Sequence, residues 1–198
     1  DVPFLFVFNP AKISVLRDKL DPSWNYNNDW VAEFKNELDK RNINYIDNTV
    51  LLTEKTEQGE AVFNKQYDAG HWNDLGAFYG VNNILNALQA DFPDIHINSL
   101  DEFNVNEALM TSLPVSEFSI NEMVPDITTK ASLINLTDEY SDEVKRADNY
   151  RTFMYYINET RQAEGTPKTL VFQGSYMNGR GYKFLQNALG EYIAVHDY

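Results

Sequence analysis

Apolar positions along the chain change their spacing several times, and each spacing predicts a different element. PFLFVFNP (3–10) is a nearly continuous apolar run closed by Asn-Pro, the pattern of a strand covered on both faces and ended by a turn. In WVAEFKNELDKR, Trp30, Val31, Phe34 and Leu38 share a helix face, with Asn27 or Asn28 able to cap the first turn. NINYIDNTVLL (42–52) predicts a second strand followed by a loop. From Asn73 to about Ala90, Leu75, Phe78, Ile84, Leu85 and Leu88 give a long helix a broad apolar side. KTLVFQGS (168–175) predicts another buried strand, GYKFLQNAL a helix and EYIAVHD a further strand. Buried strands alternating with helices imply an α/β domain on a mainly parallel sheet covered on both faces.

The rhythm breaks between residues 97 and 165. DEFNV, SEFSINEMV and TFMYYINET alternate only partly and are separated by acidic and polar segments. The expectation is one domain over 1–198 with 97–165 as a cap or insertion beside the sheet, rather than as strands within it. No repeat, low-complexity tract or Gly/Ser linker marks a further boundary.

Composition narrows the function classes. With 198 residues, 43% hydrophobic and 14% aromatic, the chain can bury a proper core. A net charge of −14, spread along the sequence, argues against nucleic acid or anionic lipid as a partner, since phosphate binding needs clustered Lys and Arg. The absence of cysteine excludes disulfides, thiolate chemistry and Cys-ligated zinc. No Asp/Glu/His cluster has metal-ligand spacing, and phosphate loops and dinucleotide fingerprints are absent, so neither metal nor cofactor is expected. No apolar run reaches the ~18 residues of a membrane span. The first residue is Asp1, so any targeting segment is expected to lie outside this chain.

Candidate chemistry gathers where strands end and helices begin, the usual location of functional groups in α/β sheets. Ser175 follows LVFQ and Gly174, just ahead of a helix, so its hydroxyl would project beyond the sheet and its backbone N–H toward an anion. The run is QGSYM, not the GxSxG elbow of α/β-hydrolases, and a serine so placed also serves as a turn residue or helix cap. His71 lies in YDAGHWNDLGAF (67–78), three residues after Asp68 across a small Ala-Gly pair. That spacing lets the carboxylate accept from Nδ1–H, fixing the tautomer and leaving Nε2 to take a serine proton. Trp72 and Tyr176 flank these candidates and are the expected binding side chains, although a tryptophan opening a helix commonly packs in a core. Asp74 fits a helix-dipole partner, His96 a strand surface, and His196 a group supporting the site from behind. Trp24, Tyr26 and Tyr176 could stack on sugar rings or simply pack.

Asp-x-x-His just before a helix, with Gly76-Ala77 following, resembles the final block of the SGNH hydrolases. HWNDLGA in particular resembles the alginate-acetyltransferase-like branch and the related DHHW bacterial surface proteins. In that branch the Asp/His block precedes the serine block, a circular permutation of the usual order, and Ser175 likewise follows His71 by about a hundred residues. LVFQGSYMN and YIAVHDY are similar to the branch's serine strand and next strand, and FLFVFNPAK and NYIDNTVLL to its early segments. The resemblance covers most of 3–90 and 168–198. Two departures stand out: two residues rather than one separate Asp68 from His71, and no acidic residue precedes Ser175. The branch's oxyanion Gly and Asn are expected after the strand following the serine. The chain looks truncated near that point, which leaves the Ser175 N–H as the one oxyanion donor to assign.

The resemblance implies a three-layer α/β/α fold and serine acyl-ester chemistry, with Ser175 as nucleophile, His71 as base and Asp68 orienting it. It implies acetyl transfer to a bacterial envelope or extracellular polysaccharide outside the cytoplasm, by a protein anchored through a segment outside this chain. The acyl group would come from a membrane O-acyltransferase partner. Two alternatives remain open at this stage: a carbohydrate O-acetyl esterase, and a non-catalytic envelope binding or scaffold protein.

Overall fold

The computed structural model describes residues 2–24, 26–68, 70–111, 119–148 and 152–196. The first apolar run forms β1 (Phe6–Phe8) and leads past the buried Pro10 into the short helix α1 (Lys12–Val15). Helix α2 (Asp29–Lys40) connects β1 to its parallel neighbour β2 (Tyr45–Asp47), in register from Phe6–Tyr45 to Phe8–Asp47. Of the apolar face read in α2, Val31 and Leu38 are buried. Phe34 and Trp30 instead meet Phe6 and Phe8 edge to face, with ring centroids 5.3 and 6.3 Å apart.

The segment expected as a loop after β2 is helical, forming α3 (Thr49–Glu57). Asp47 Oδ1 accepts both the backbone N–H and the hydroxyl of Thr49, at 2.8 and 2.5 Å, and so ends the strand and opens the helix. Helix α4 (Asp74–Leu88) starts at Asn73, whose side chain accepts the Gly76 N–H at 3.0 Å. Its apolar side buries Phe78, Val81, Ile84 and Leu85.

Residues 97–165 contribute two different things. Strands β3 (Phe103–Met110) and β4 (Glu122–Thr129) form an antiparallel ribbon, in register from Phe103–Thr129 to Met110–Glu122. Of SEFSINEMV, residues 116–118 lie outside the described residues. Strand β5 (Ile134–Asn135), helix α5 (Thr137–Asp148), strand β6 (Thr152–Ile157) and helix α6 (Glu159–Ala163) follow. Then come β7 (Lys168–Phe172), helix α7 (Tyr182–Ala188) and β8 (Glu191–His196).

The larger sheet runs β5-β6-β8-β7, with β7 parallel to β8 and the other pairs antiparallel. Residues 152–157 therefore lie inside this sheet rather than in a lobe beside it. Their weak alternation has a cause: Met154 and Tyr156 face the core, while Tyr155 packs on Tyr140 and donates to Glu191 on the other side. Strand β7 departs from its expected burial, because Leu170 and Phe172 on one face are 56% and 71% exposed.

The core centres on Trp72, which is fully buried, and on the aromatic group Phe78, Phe103 and Phe184, with centroids 5.1–6.3 Å apart. Buried amides join the elements around it. Asn98 Nδ2 donates to Asn82 Oδ1 and to the Phe184 carbonyl, and Asn187 Nδ2 donates to Asn98 Oδ1. Satisfied in this way, such amides fix one arrangement of α4, α7 and the segment before β3. Among the described residues no helix is long and apolar enough to cross a membrane.

Gly80 lets α4 approach the Trp72 indole, since a Cβ there would stand 2.3 Å from Trp72 Cζ3. Gly80→Ala should cost about 1–3 kcal/mol by overpacking. Gly179→Ala, with nothing within 4 Å of its Cβ, should leave the melting temperature nearly unchanged. Equal melting temperatures for the two variants would mean that the indole can move aside freely.

Candidate active site

The loop carrying Asp68 and His71 is held from three directions. Glu122, at the start of β4, accepts the successive N–H groups of Lys65, Gln66 and Tyr67 at 2.5, 2.8 and 2.8 Å. Lys12, at the start of α1, donates Nζ to the Asn64 carbonyl at 2.6 Å and its backbone N–H to the Gly70 carbonyl at 3.2 Å. Beyond the loop, Phe63 pairs with Trp72 in an antiparallel bridge, and the Asn73 N–H donates to the Val62 carbonyl. Asp68 adopts φ +46°, the left-handed region, which short polar side chains tolerate best among non-glycine residues. Ala69, in the small pair between Asp68 and His71, lies outside the described residues.

Ser175 stands where the parallel pair β7–β8 ends. The Gln173 N–H still donates to the Val195 carbonyl, Gly174 makes the turn, and residues 175–176 are already helical. Gln173 is buried, accepting from the Tyr192 hydroxyl at 3.0 Å and donating to Asn178 at 3.3 Å, which stiffens the turn beneath the serine.

The three candidates read from the sequence meet here. His71 Nδ1 lies 2.7 Å from Asp68 Oδ1, and His71 Nε2 lies 2.9 Å from Ser175 Oγ. With Nδ1–H donating to the carboxylate, Nε2 is left as the acceptor for the serine hydroxyl. Both His71 and Ser175 remain partly open to solvent.

A fourth participant was not visible in the sequence. Arg180 Nη1 donates to Asp68 Oδ2 at 2.6 Å, so each carboxylate oxygen has its own donor. Arg180 can do this because residues Met177–Gly181 form a π-turn, closed by the Tyr182 N–H on the Met177 carbonyl. A regular α-helix sets position i+5 roughly 140° round from position i. The wider π-turn brings Arg180 back toward the side of Ser175. Arg180 Nε also approaches Asp74 Oδ1 at 3.8 Å, and Asp74 Oδ2 accepts from Lys183 at 2.6 Å and from the Ile127 N–H at 2.7 Å. Asp74 is thus a buried tie between α4, α7 and β4 as well as a first-turn acid.

Burial pushes the Asp68 carboxyl up, but the hydrogen bonds and charges of Arg180 and His71 outweigh it and hold the group below the usual carboxylate range. Tyr176 is pushed up to about 12, first by burial and then by the Asp68 charge and the neighbouring Tyr26. Its ring meets His71 edge to face at 4.7 Å, and its hydroxyl donates to the Gly70 carbonyl at 3.2 Å. Tyr176 therefore borders the His71 ring.

Trp72 does not line the cleft. It is fully buried and donates Nε1–H to the Tyr176 carbonyl at 3.0 Å, so its part is structural. His96 is not on a strand; it hydrogen-bonds Glu102 at 2.8 Å in the turn before β3. His196 ends β8, buried opposite Thr152.

Comparisons with known proteins agree with this architecture. A family model described as "SGNH hydrolase-like domain, acetyltransferase AlgX" matches residues 2–153, a span that includes Asp68 and His71 and stops short of Ser175. Among solved structures, PatB1 of Bacillus cereus superposes with a TM-score of 0.69 at 18% identity, over 98% of this chain and 74% of that one. A DHHW family protein from Eubacterium siraeum gives 0.67 at 12% identity, over 97% and 68% of the two chains. The O-acetyltransferase domain of Pseudomonas putida AlgJ gives 0.57 at 14%, over 98% and 63%. At these identities the likeness carries the fold. No curated protein matches the chain.

Because the Asp68 carboxyl is held low, its contribution to stability is present above the ordinary carboxylate pKa and is lost as pH falls through the folded value. Arg180→Met should therefore destabilise most near neutral pH. Its deficit against wild type should shrink as pH falls from the ordinary carboxylate range toward the lower folded value, below which both proteins protonate Asp68. Urea unfolding across a pH series reads this directly. A deficit that stays constant would show that Arg180 acts by packing alone.

Proposed function

Since the chain belongs to the SGNH hydrolase-like, acetyltransferase AlgX family, we propose that it transfers an O-acetyl group through Ser175 to a polysaccharide hydroxyl. The observation that carries this reading is the unbroken row Ser175 Oγ, His71 Nε2, His71 Nδ1 and Asp68 Oδ1, with contacts of 2.9 and 2.7 Å. A serine hydroxyl is a weak nucleophile near neutral pH unless a base takes its proton as it attacks. His71 takes that proton, Asp68 steadies the imidazolium that forms, and Arg180 holds the second oxygen of Asp68 so the carboxylate cannot swing away.

Attack of Oγ on the donor's acyl carbon forms a tetrahedral oxyanion, for which we assign the Ser175 backbone N–H as one donor. Collapse breaks the bond to the leaving group, which leaves with the proton from His71, and the acyl group stays on Ser175. A sugar hydroxyl then attacks, His71 takes its proton, and the ester passes to the polysaccharide as the proton returns to Ser175. In this reading the protein works outside the cytoplasm, on acyl groups delivered by a membrane O-acyltransferase. PatB1 has also been solved with a sulfonyl adduct, and a sulfonyl fluoride is the corresponding probe for an activated hydroxyl here. Because His71 and Ser175 are partly exposed, water can compete for the acyl-enzyme. A carbohydrate O-acetyl esterase is therefore the second reading.

With an activated acetyl ester, the wild type should give an acyl-enzyme detectable by intact mass. Ser175→Ala should abolish it, and His71→Ala should reduce its formation at least roughly a thousandfold. The double variant should be no worse, because the two side chains act as a unit. Asp68→Asn should be milder or equal. Transfer to added oligosaccharide that outpaces hydrolysis supports the transferase; exclusive hydrolysis supports the esterase. Wild type and Ser175→Ala acylating equally poorly would overturn both in favour of a binding protein.

A further inference from the structure

Tyr176, the residue after the candidate nucleophile, touches three consecutive residues of the histidine loop. Its hydroxyl donates to the Gly70 carbonyl at 3.2 Å. Its ring meets the His71 imidazole with centroids 4.7 Å apart and planes at 65°. Its backbone carbonyl accepts the Trp72 Nε1–H at 3.0 Å, and its ring stands 5.4 Å from the indole at 82°. Three rings thus follow one another in the order Trp72, Tyr176, His71, from a fully buried indole to a partly open imidazole.

These contacts supply what the two hydrogen bonds of His71 leave open. Nδ1 is held by Asp68 Oδ1 at 2.7 Å, and Nε2 lies 2.9 Å from Ser175 Oγ. Both bonds leave the imidazole free to roll about the line joining its nitrogens. Rolling swings the N–H and the lone pair out of line with their partners, and hydrogen bonds weaken steeply as they bend. An aromatic ring set edge to face against the imidazole opposes that roll. The ring is itself held fast, by its hydroxyl on Gly70 and by its packing on Trp72. The Gly70 carbonyl also accepts the Lys12 N–H, which anchors that end on α1. Burial first, then the Asp68 charge and Tyr26, push the Tyr176 phenol up to about 12, so it remains a donor near neutral pH.

We infer that Tyr176 is a positioning residue for the reaction. Its ring keeps the His71 imidazole in the plane that joins Asp68 to Ser175, while its hydroxyl and carbonyl grip the residues on either side of that histidine. Tyr176 thereby serves the base rather than a sugar. Its hydroxyl and two sides of its ring are already engaged within the protein, the arrangement of a support and not of a platform left bare for a ligand. The inference rests on the acyl-transfer reading above, in which His71 takes the serine proton.

The test compares Tyr176→Leu and Tyr176→Phe with wild type in two measurements. The first is turnover of para-nitrophenyl acetate. Tyr176→Leu keeps apolar bulk beside Trp72 and the backbone carbonyl but removes the aromatic wall. It should lower kcat about ten- to a hundredfold, the scale of a misaligned catalytic group, with KM changed less than about twofold. Tyr176→Phe keeps the ring, and Gly70 keeps the Lys12 N–H, so kcat should fall about threefold at most. The second measurement is heteronuclear NMR of the three histidine rings. In Tyr176→Leu the Nδ1–H signal of His71 should broaden through faster exchange with water, while the signals of His96 and His196 stay as they are. Should Tyr176→Leu fail to fold, Tyr176→Met gives the same comparison, because a flexible thioether fills irregular space. A wild-type kcat in the ring-deleted variant, or a loss confined to the KM of a saccharide acceptor, would overturn the positioning role and return Tyr176 to the sugar. Broadening of all three histidines together would overturn it too, since that marks a general loosening. Selective broadening of His71 where even the wild type never acylates Ser175 would uphold the positioning and reject the transfer reading instead.

Discussion

Two distant parts of the chain meet because one indole fits between them. Trp72 directly follows His71, and Tyr176 directly follows Ser175, yet 104 residues separate each pair. The Trp72 Nε1–H donates to the Tyr176 carbonyl at 3.0 Å inside a core that excludes water, where an unpaired indole N–H would be costly. Gly80 brings α4 against the same ring, Gly76 brings it against the Val62 carbonyl and the Trp72 Cβ, and Gly181 leaves room for the Met177 side chain. Placing the indole places the imidazole on one side and the serine on the other, so the hydrogen bond between them follows from packing.

Charge is arranged around this pin in a short chain of alternating sign. Arg180 stands between Asp68 and Asp74 and Lys183 pairs with Asp74, four partly or fully buried ions that compensate one another within a strongly acidic molecule. Isolated buried charges are expensive, but paired ones with every oxygen engaged give a specific geometry. Asp74 also accepts the Ile127 N–H, which couples the site to the β3–β4 ribbon. The same ribbon supplies Glu122, whose carboxylate gathers three backbone N–H groups of the Asp68 loop. The ribbon is therefore part of what holds the Asp68–His71 loop, although it sits outside the larger sheet.

Lys12 serves a parallel purpose from the other side. Burial lowers its pKa despite the nearby Glu122 charge, and its ammonium is held by the Asn64 carbonyl. A left-handed Asp68, a pinned Gly70 carbonyl and a clamped 65–67 turn leave the carboxylate little freedom. Such fixed groups leave the partly exposed His71 ring with one set orientation between Asp68 and Ser175.

Local pattern in the sequence was enough for β1, α2, α4, α7 and β8, because apolar period and capping residues such as Asn73 act within a few positions. It was also enough to nominate Asp68, His71 and Ser175, since Asp-x-x-His and a serine after a strand-ending glycine are short-range signals. The α3 helix differs from the loop expected there because Asp47 turns the chain by accepting from Thr49, a side-chain contact that hydropathy does not register. Burial of β7 and the placement of β6 could not be read either, as both depend on which strand lies beside β8. Tertiary structure alone decided the rest: that Trp72 is a core tie, that Lys12 and Glu122 clamp a loop 52 to 57 residues away, and that Arg180 reaches Asp68 across 112 residues. Each of these is a contact between segments whose separation leaves no trace in local spacing, and Arg180 further needs a π-turn that offsets the helical phase on which sequence patterns rest.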